Sequence, residues 1–387
     1  MVKSSDITIA ICAFNAENTI ERAVKSALAA SSGPILLVDD CSTDQTAVVA
    51  ARIGGSRLQI TQPLEKVGIG NARQTALETI NTPYGIWLDA DDEMLPDRSL
   101  AMRRSFEKTD ADLVFGAAEL IDGVSGKTTA HLQMPDFLNG PGIWHLFERN
   151  WLPGLWGGFK VSFARKIGYD LKFFNSEDYD FTLRALVAGA KISLTQKCGY
   201  RYYHYGNSVS RNLKEATNFT NQALGKHRLQ DINALMHAAG VSDASRIYLG
   251  ASLALLTGQY SACIAALDAV KGMDQHVEPY GASAASLTSF LAGVSHLKQR
   301  EANAALAQFS ACGMASADCI NNIGVCYLLL ADHGKARRCF GKALELSPGY
   351  VDARQNLKQL GTDAAPHITL LPLRPLVGRS TYDSPVG

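Results

Sequence analysis

The first hundred residues alternate short β-branched runs with segments of helical periodicity, and this alternation restricts the possible folds most. The apolar runs are short and continuous, as in strands that are buried on both faces of a parallel sheet. These runs cover residues 7–13, 35–38, 58–62 and 85–88. The segments between them, residues 17–30, 46–51 and 70–80, space their apolar residues as amphipathic helices do. Strand–helix–strand order predicts right-handed crossovers and a parallel, doubly wound sheet.

Polar residues follow three of these four predicted strands. Asn15 comes after the first strand, Asp39 and Asp40 end the second, and residues 89–92 (DADD) end the fourth. Ligands of open α/β sheets bind outside the carboxyl ends of the strands. We therefore expect the chemistry of this chain at that edge of the sheet.

Three carboxylates are crowded into residues 89–92. Because like charges at this spacing repel one another, the cluster is costly unless a cation lies beside it. Hard oxygen ligands suit Mg²⁺ or Mn²⁺, which commonly bridge to the phosphates of a substrate. The alternative is an acidic turn that faces solvent, since Asp is common in turns.

The second half of the chain has a different character. After mixed signals (strands at 113–117 and 191–194, a helix at 179–188), residues 213–360 are rich in Ala, Leu and Ser and show no strand pattern. Six residues have the spacing of the tetratricopeptide consensus: Gly324, Tyr327, Ala336, Phe340, Ala343 and Pro348. A second copy, 31 residues earlier, has Gly293, His296, Ala305, Phe309 and Cys312.

These patterns predict four segments. Residues 1–212 form an α/β domain, residues 213–242 a helical linker, and residues 243–361 tetratricopeptide-like helical repeats. Residues 362–387 contain four prolines and are expected to be irregular or docked as an extended strap.

Charge and cysteine content narrow the classes of partner. Lys+Arg and Asp+Glu both number 37, so no net charge attracts nucleic acid or an anionic membrane. None of the eight cysteines forms a CxxC pair, which favours buried free thiols in a reducing compartment over a disulfide or a zinc site. The N-terminal residues do not resemble a secretory signal, and no apolar run reaches the ~18 residues of a membrane helix. We expect a cytoplasmic protein.

Four motifs, in order, carry a resemblance to a known family. They are ITIAICAFNAENTIERAVKSAL, then ILLVDDCSTDQT, then GIGNARQTAL with WLDADDE, and finally SEDYD (residues 176–180) before FTLRALVAGAKI. With these motifs the chain resembles glycosyltransferase family 2, the inverting enzymes with the GT-A fold, over residues 5–212. The resemblance implies an α/β GT-A domain ahead of the helical repeats.

The resemblance also implies a donor site. It places the end of the first strand beside the nucleotide base. It implies that Asp40 hydrogen-bonds the base, which is most often uracil, and that Asp39 lies beside Asp40. Arg73 falls near the donor phosphates and Asp89 near the ribose or sugar. At the end of the first strand, the residues implied to lie beside the base are Cys12, Ala13 and Phe14. Two alternatives remain: the Asp pair as helix-capping carboxylates, and Arg73 as a surface residue.

A divalent metal, Mn²⁺ or Mg²⁺, is the implied cofactor. The resemblance assigns it to Asp91, with Asp92 assisting and His204 able to complete the coordination. Arg211 is implied to contact the pyrophosphate. For His204 and Arg211, packing against the C-terminal part is the competing interpretation.

Asp178 is the implied general base, with Glu177 in a supporting role. An inverting transfer is one displacement at the anomeric carbon, which needs a carboxylate near the acceptor and a cation on the leaving diphosphate. Glu177 and Asp178 can equally be a capping pair at a helix N-terminus, and both roles can hold together.

The function implied is a metal-dependent inverting transfer of a sugar from a nucleotide sugar, most often a UDP-sugar. The acceptor is a saccharide or a protein or peptide, and the repeats can bind a partner protein or a second copy. The alternative is a non-catalytic tetratricopeptide scaffold on a degenerate transferase domain, although both acidic motifs are intact. A nucleotidyltransferase would carry a Gly-rich phosphate loop near the N-terminus, where this chain has AFNAENT.

Overall fold

The protein comprises two compact units. The computed structural model describes residues 4–152, 157–205, 213–362 and 364–373. One unit consists of Met1–Asn139 and Asn150–Ala223, and the other of Gly140–Arg149 and Leu224–Gly387. An α/β unit and a helical unit are the expected fold class, which is confirmed.

A nine-stranded mixed sheet forms the centre of the first unit. Its strands are β1 (Ile7–Ala13), β2 (Ile35–Asp39), β3 (Leu58–Thr61), β4 (Tyr84–Asp89), β5 (Glu93–Met94), β6 (Leu113–Asp122), β7 (Thr128–Leu132), β8 (Gly158–Lys160) and β9 (Ile192–His204). They are ordered β3-β2-β1-β4-β8-β6-β9-β5, and β7 pairs with β6.

Six α-helices lie between strands of this sheet in the part of the chain that the structure describes. They are α1 (Ile20–Ala30), α2 (Thr46–Gly54), α3 (Ile69–Thr79), α4 (Arg98–Thr109), α5 (Val161–Ile167) and α6 (Glu177–Val187). Buried apolar residues of α1, α2 and α4 pack with those of the central strands in one core. The helices predicted at 17–30, 46–51, 70–80 and 179–188 are all present, with ends shifted by a few residues.

The first four strands pair in parallel, as predicted. The remainder of the sheet is mixed, because β8 lies antiparallel between β4 and β6. The short β5, β7 and β8 and the helices α4 and α5 had no distinct signal in the sequence. Strand β9 is 13 residues long, whereas the sequence predicted only residues 191–194, because its later part is polar and aromatic rather than aliphatic.

The second unit is built from helices, with one short hairpin of β10 (His276–Val277) and β11 (Ala282–Ser283). Its helices are α8 (Leu229–Ala238), α9 (Asp243–Leu256), α10 (Tyr260–Ala269), α11 (Ala284–Lys298), α12 (Ala302–Cys312), α13 (Ala317–Leu329), α14 (His333–Leu346) and α15 (Val351–Lys358). Helix α7 (Leu213–Gly225) contains the boundary between the units. No helix among the described residues is long and apolar enough to cross a membrane.

Two successive helix pairs of this unit pack in the same way. In α11–α12, a Cβ added at Gly293 would lie 2.8 Å from the ring of Phe309; in α13–α14, one added at Gly324 would lie 2.6 Å from Phe340. Both rings are buried. The glycines are needed because each ring lies directly against the backbone of the partner helix, which is the packing that the repeat spacing predicted.

The division of the chain differs from the predicted one at residues 140–149. This segment, inside the predicted domain of residues 1–212, belongs to the helical unit. There Phe147 packs edge-on against His227 at 5.2 Å between ring centroids. Glu148 accepts a hydrogen bond of 3.0 Å from the Tyr248 hydroxyl. The physical reason is that this segment buries its apolar and charged side chains among the helices, which local periodicity does not reveal.

Candidate functional site

The parallel strands bring several predicted site residues to one edge of the sheet. Cys12, near the end of β1, is in register with Val38 of β2 and with Asp89 of β4. Ala13 is in register with Asp39. Burial raises the pKa of the Cys12 thiol to about 12, so this thiol stays neutral. Four charged groups surround it: Arg73, Asp89, Glu177 and Asp40.

Asp39 and Asp40 organise the loops at this edge. The backbone N–H of Asp40 donates to the carbonyl of Ala13 at 2.8 Å. Its carboxylate accepts the backbone N–H groups of Val67 (2.7 Å) and Gly68 (2.9 Å), just before α3. The carboxylate of Asp39 accepts the backbone N–H and the hydroxyl of Ser42. Both carboxylates are buried. Their hydrogen bonds hold the loop that follows β2 and the loop that precedes α3.

Phe14 follows β1 and is the exposed member of the predicted base-binding stretch, with 41% of its surface accessible. The ammonium of Lys66 lies 3.4 Å from the centre of its ring. An exposed ring beside a cation is a surface on which a planar base can stack.

Arg73 is buried rather than on the surface, with only 5% of its area exposed. Its Nη2 lies 3.3 Å from Oδ1 of Asp89, and its Nε lies 3.2 Å from Oε1 of Glu177. Burial opposes the charge of Arg73, but Glu177 and its other acidic neighbours outweigh it and raise the pKa further. This guanidinium therefore joins the acidic residues of β4 to those at the start of α6.

Glu177 and Asp178 are the first two residues of α6. Burial raises the pKa of Glu177 to about 7, and Asp178 adds to the effect. Burial also raises the pKa of Asp178, although Arg73 opposes the shift. A carboxylate with a pKa raised towards neutrality is a better proton acceptor than a solvent-exposed one.

Asp91 and Asp92 have different surroundings. Asp92 is fully buried; its Oδ2 accepts the hydroxyl of Tyr200 at 2.7 Å and its Oδ1 the backbone N–H of Tyr203 at 2.8 Å. Asp91 is half-buried. Burial and the neighbouring Asp89 raise the pKa of Asp91 to about 6. Burial, Asp89 and Asp91 raise that of Asp92 strongly.

Tyr200 and Arg22 position this acidic turn, and neither was predicted from the sequence. The Tyr200 hydroxyl donates to Asp92 and accepts the backbone N–H of Asp89 at 3.1 Å. Burial raises the pKa of Tyr200, so the hydroxyl keeps its proton. Arg22 stacks on the ring of Tyr203 at 3.6 Å and donates to the carbonyl oxygen of Asp91. In the sequence, nothing distinguishes this Arg on a helix or this Tyr on a strand from other residues of the same type.

The remaining predicted residues are His204 and Arg211. His204 is the last residue of β9, in register with Asp122 of β6 and next to Tyr203, whose N–H binds Asp92. Arg211 lies outside the described residues.

The acidic turn can hold a divalent cation only as an incomplete site, in which phosphate and water supply the remaining ligands. No three His, Cys, Asp or Glu side chains within residues 4–152, 157–205, 213–362 and 364–373 are grouped closely enough to form a complete metal site. Mg²⁺ and Mn²⁺ sites that serve phosphate substrates need only one or two carboxylates, with phosphate and water completing the coordination. Burial and the neighbouring Asp89 both raise the pKa of Asp91, and a cation beside this carboxylate would favour its charged form.

Comparison with known proteins gives two family matches. The model of glycosyl transferase family 2 matches residues 8–171. The model of the tetratricopeptide repeat matches residues 317–350, which are the α13–α14 pair and the turn after it. The first range contains the strand ends and the acidic turn described above; Glu177 and Asp178 follow it.

Two curated relatives come from Rhizobium meliloti (strain 1021). The succinoglycan biosynthesis protein ExoU is 31% identical over 251 residues, which are 60% of this chain and 68% of that protein. The succinoglycan biosynthesis protein ExoO is 29% identical over 233 residues, 55% of this chain and 64% of that protein. The chain thus spans slightly less than two thirds of the length of ExoO.

Among solved structures, S. aureus TarS 1–349 in complex with UDP-GlcNAc resembles this chain with a TM-score of 0.49 and 16% sequence identity. The match covers 97% of this chain and 98% of that one.

Proposed function

This chain belongs to glycosyltransferase family 2, and on that premise we propose that it transfers a sugar from a nucleotide sugar to a saccharide acceptor with inversion at the anomeric carbon. The observation that supports this most is the pair of contacts from Arg73 to Asp89 and to Glu177. They join the acidic turn after β4 to the carboxylates at the start of α6. A donor-binding edge and a candidate base thereby become one site.

The donor side of the site is the edge formed by β1, β2 and β4. We propose that Phe14 and the end of β1 receive the base, with Asp39 and Asp40 holding the surrounding loops and reaching the base. Asp40 accepts two backbone N–H groups, and its oxygens have further lone pairs for a base N–H. A UDP-sugar is the donor that the family resemblance favours.

Asp91 is the residue that we propose to hold a Mg²⁺ or Mn²⁺ ion. Such an ion, when bound with the donor, supplies positive charge to the leaving diphosphate. Asp92 is committed by its bonds to Tyr200 and Tyr203, and its proposed part is to fix the turn that presents Asp91. His204, adjacent to Tyr203, is the candidate for a further ligand.

Asp178 is the proposed general base, and Glu177, which Arg73 contacts, has a supporting role beside it at the start of α6. The base accepts the proton of the acceptor hydroxyl as its oxygen attacks the anomeric carbon, and the nucleoside diphosphate leaves from the opposite face. A partly buried carboxylate with a raised pKa suits this step. Arg73 supplies a counter-charge to the neighbouring Glu177, which would otherwise be a buried charge without a partner.

The saccharide acceptor is favoured by the two curated relatives, both of which are named for succinoglycan biosynthesis. The alternative of a non-catalytic scaffold predicts no turnover with any donor.

The test is turnover of the purified full chain with a panel of UDP- and GDP-sugars, with and without EDTA. We expect release of nucleoside diphosphate with one donor class, loss in EDTA, and recovery with Mn²⁺ or Mg²⁺. Asp91→Asn should lose both donor binding and turnover. Asp110→Asn is the matched control, since the Asp110 carboxylate is 73% exposed and forms ion pairs with Lys160 and Lys191.

The outcomes separate the parts of the proposal. Turnover that is unchanged in EDTA contradicts the metal role of Asp91 and leaves the transferase function standing. Absence of nucleotide-sugar binding and turnover with every donor supports the scaffold alternative.

A further inference from the structure

Residues 366–373 (PHITLLPL), called the strap below, form no helix or strand, and asparagine side chains of the repeat helices hold their backbone. Asn322 on α13 pairs with Thr369: its Oδ1 accepts the Thr369 N–H at 3.0 Å, and its Nδ2 donates to the Thr369 carbonyl at 2.9 Å. Asn356 on α15 pairs with His367 in the same way, at 2.7 and 2.8 Å. Each amide thus satisfies both backbone groups of one residue, as a neighbouring β-strand would.

Two more side chains of α13 complete these contacts. Asn321 donates to the His367 carbonyl at 3.2 Å, and its own Oδ1 accepts Nδ2 of Asn356 at 2.9 Å. Asp318 accepts the backbone N–H of Leu373 at 2.7 Å. All four side chains, those of Asp318, Asn321, Asn322 and Asn356, are at least 99% buried. Without a peptide backbone in place, these polar groups would have to be satisfied by water or left unpaired at a cost.

One side chain of the strap, that of Thr369, makes specific contacts with the helices. The Thr369 hydroxyl donates to Oδ2 of Asp352 at 2.7 Å and accepts Nδ2 of Asn321 at 3.3 Å. It also contacts the hydroxyl of Tyr350. A methyl group in this position would lose these contacts, because it can neither donate to Asp352 nor accept from Asn321.

We propose that Asp318, Asn321, Asn322, Asp352 and Asn356 form a binding site for an extended peptide with a Thr or Ser hydroxyl, and that the strap occupies this site in cis. The amides can bind the backbone of the strap or of a separate peptide, while Asp352 selects the hydroxyl. Because the strap is part of the same chain, its effective concentration is in the millimolar range. It therefore excludes a competing peptide until it is released. This inference does not depend on the proposed transferase activity.

The test measures, by fluorescence anisotropy, whether a labelled peptide of residues 364–373 binds in trans to the full chain. The double variant His367→Pro/Thr369→Pro lacks the two N–H groups that bind Asn356 and Asn322, so the strap is released. Ile368→Pro is the matched control, since the Ile368 N–H makes none of these hydrogen bonds. We expect the double variant to bind the peptide at least about tenfold more tightly than the wild type or the control, as expected for loss of a pair of hydrogen bonds in the competing strap.

Two further variants test the recognition itself. Asn322→Ala in the double-variant background should weaken peptide binding by about tenfold or more, and a peptide with Val in place of Thr369 should bind about tenfold less tightly. Circular dichroism and urea unfolding report whether each variant is folded.

A folded double variant that does not bind the peptide overturns the proposal and makes the strap a fixed part of the fold. If the double variant does not fold, Thr369→Val in the full chain replaces it, because it removes only the hydroxyl. Peptide binding that is stronger than in the wild type then supports the proposal, and binding equal to the wild type overturns it.

Discussion

The Nε of Arg73 lies 3.2 Å from Oε1 of Glu177, with both side chains only 7% exposed. The pair joins α3 to the N-terminus of α6, and the same guanidinium reaches Asp89 at the end of β4. Three segments separated along the chain are therefore held together by one buried cation. The consequences of this arrangement can be measured.

Loss of the Arg73 cation should destabilise the protein. Arg73→Met leaves Glu177 buried without its counter-charge, which typically costs ~3–5 kcal/mol. Urea unfolding at pH 7.5 measures the change. The double variant Arg73→Met/Glu177→Gln should recover part of that stability, because Glu177 then no longer leaves a buried charge without a partner. A cost for Arg73→Met below about 1 kcal/mol, typical of an exposed ion pair, would contradict the burial of this pair.

The raised pKa of Glu177 should appear in the pH dependence of stability. The folded state binds this proton with a pKa of about 7, against an ordinary value of 4.5, so the folded state holds more protons between these pH values. The free energy of unfolding should therefore decrease as the pH rises from 4.5 to 7. Urea unfolding across this range should show a smaller decrease for Glu177→Gln. An equal decrease in both proteins would place the titration elsewhere.

Asp178→Asn should reduce turnover by about 10²-fold or more, the usual effect of losing a general base. The amide keeps the size of the side chain but cannot accept the proton of the acceptor. Donor affinity, measured by calorimetry with the nucleoside diphosphate, should change little. Asp110→Asn serves again as the control, and normal turnover of Asp178→Asn would assign the base to another group.

The helical unit should lose stability in acid through Glu148. Burial alone would raise the pKa of this carboxyl, but Arg149, His145 and Tyr280 outweigh it and lower the pKa to about 2. The unfolded state therefore binds more protons between pH 4.5 and 2, and the stability contributed by Glu148 is lost as the pH falls through this range. Glu148→Gln should show a weaker dependence in acid unfolding, whereas Glu345→Gln, at a carboxylate that is 68% exposed, should match the wild type.

The contact of Gly324 with Phe340 should govern the stability of the last repeat. Phe340→Ala removes a fully buried ring and should cost ~3–5 kcal/mol. Gly324→Ala should also destabilise, since its Cβ would lie 2.6 Å from the ring. The double variant should cost less than the sum, because the small side chain at 340 makes room for the methyl group.

Gly341→Ala on the same helix is the control for this contact. Apart from its chain neighbours and the backbone of its own helix, no atom lies within 4 Å of its added Cβ, so the change should be neutral or stabilise by ~0.5–1 kcal/mol through helix propensity. Additive losses in the Gly324/Phe340 double variant would show that the two residues do not share one packing site.

The sequence by itself determined the elements whose signals are local. The first four strands, the helices between them and the glycine–aromatic spacing of the repeats depend on neighbouring residues along the chain, so periodicity predicts them. The acidic turn after β4 could be recognised because three carboxylates follow directly on a predicted strand. The strap was anticipated only as one of two possibilities, from its prolines.

Only the tertiary structure decided which distant side chains meet. Asp92 and Tyr200 are 108 residues apart, and their bond makes Asp92 a buried support of the turn. Glu148 meets Tyr248 across 100 residues, and this contact helps to hold residues 140–149 in the helical unit. Hydrogen bonds of this kind depend on how the chain packs as a whole and leave no periodic trace in the sequence. The physical reason is that periodicity reports which face of an element is buried, while the partner across that face is set by the packing of other elements.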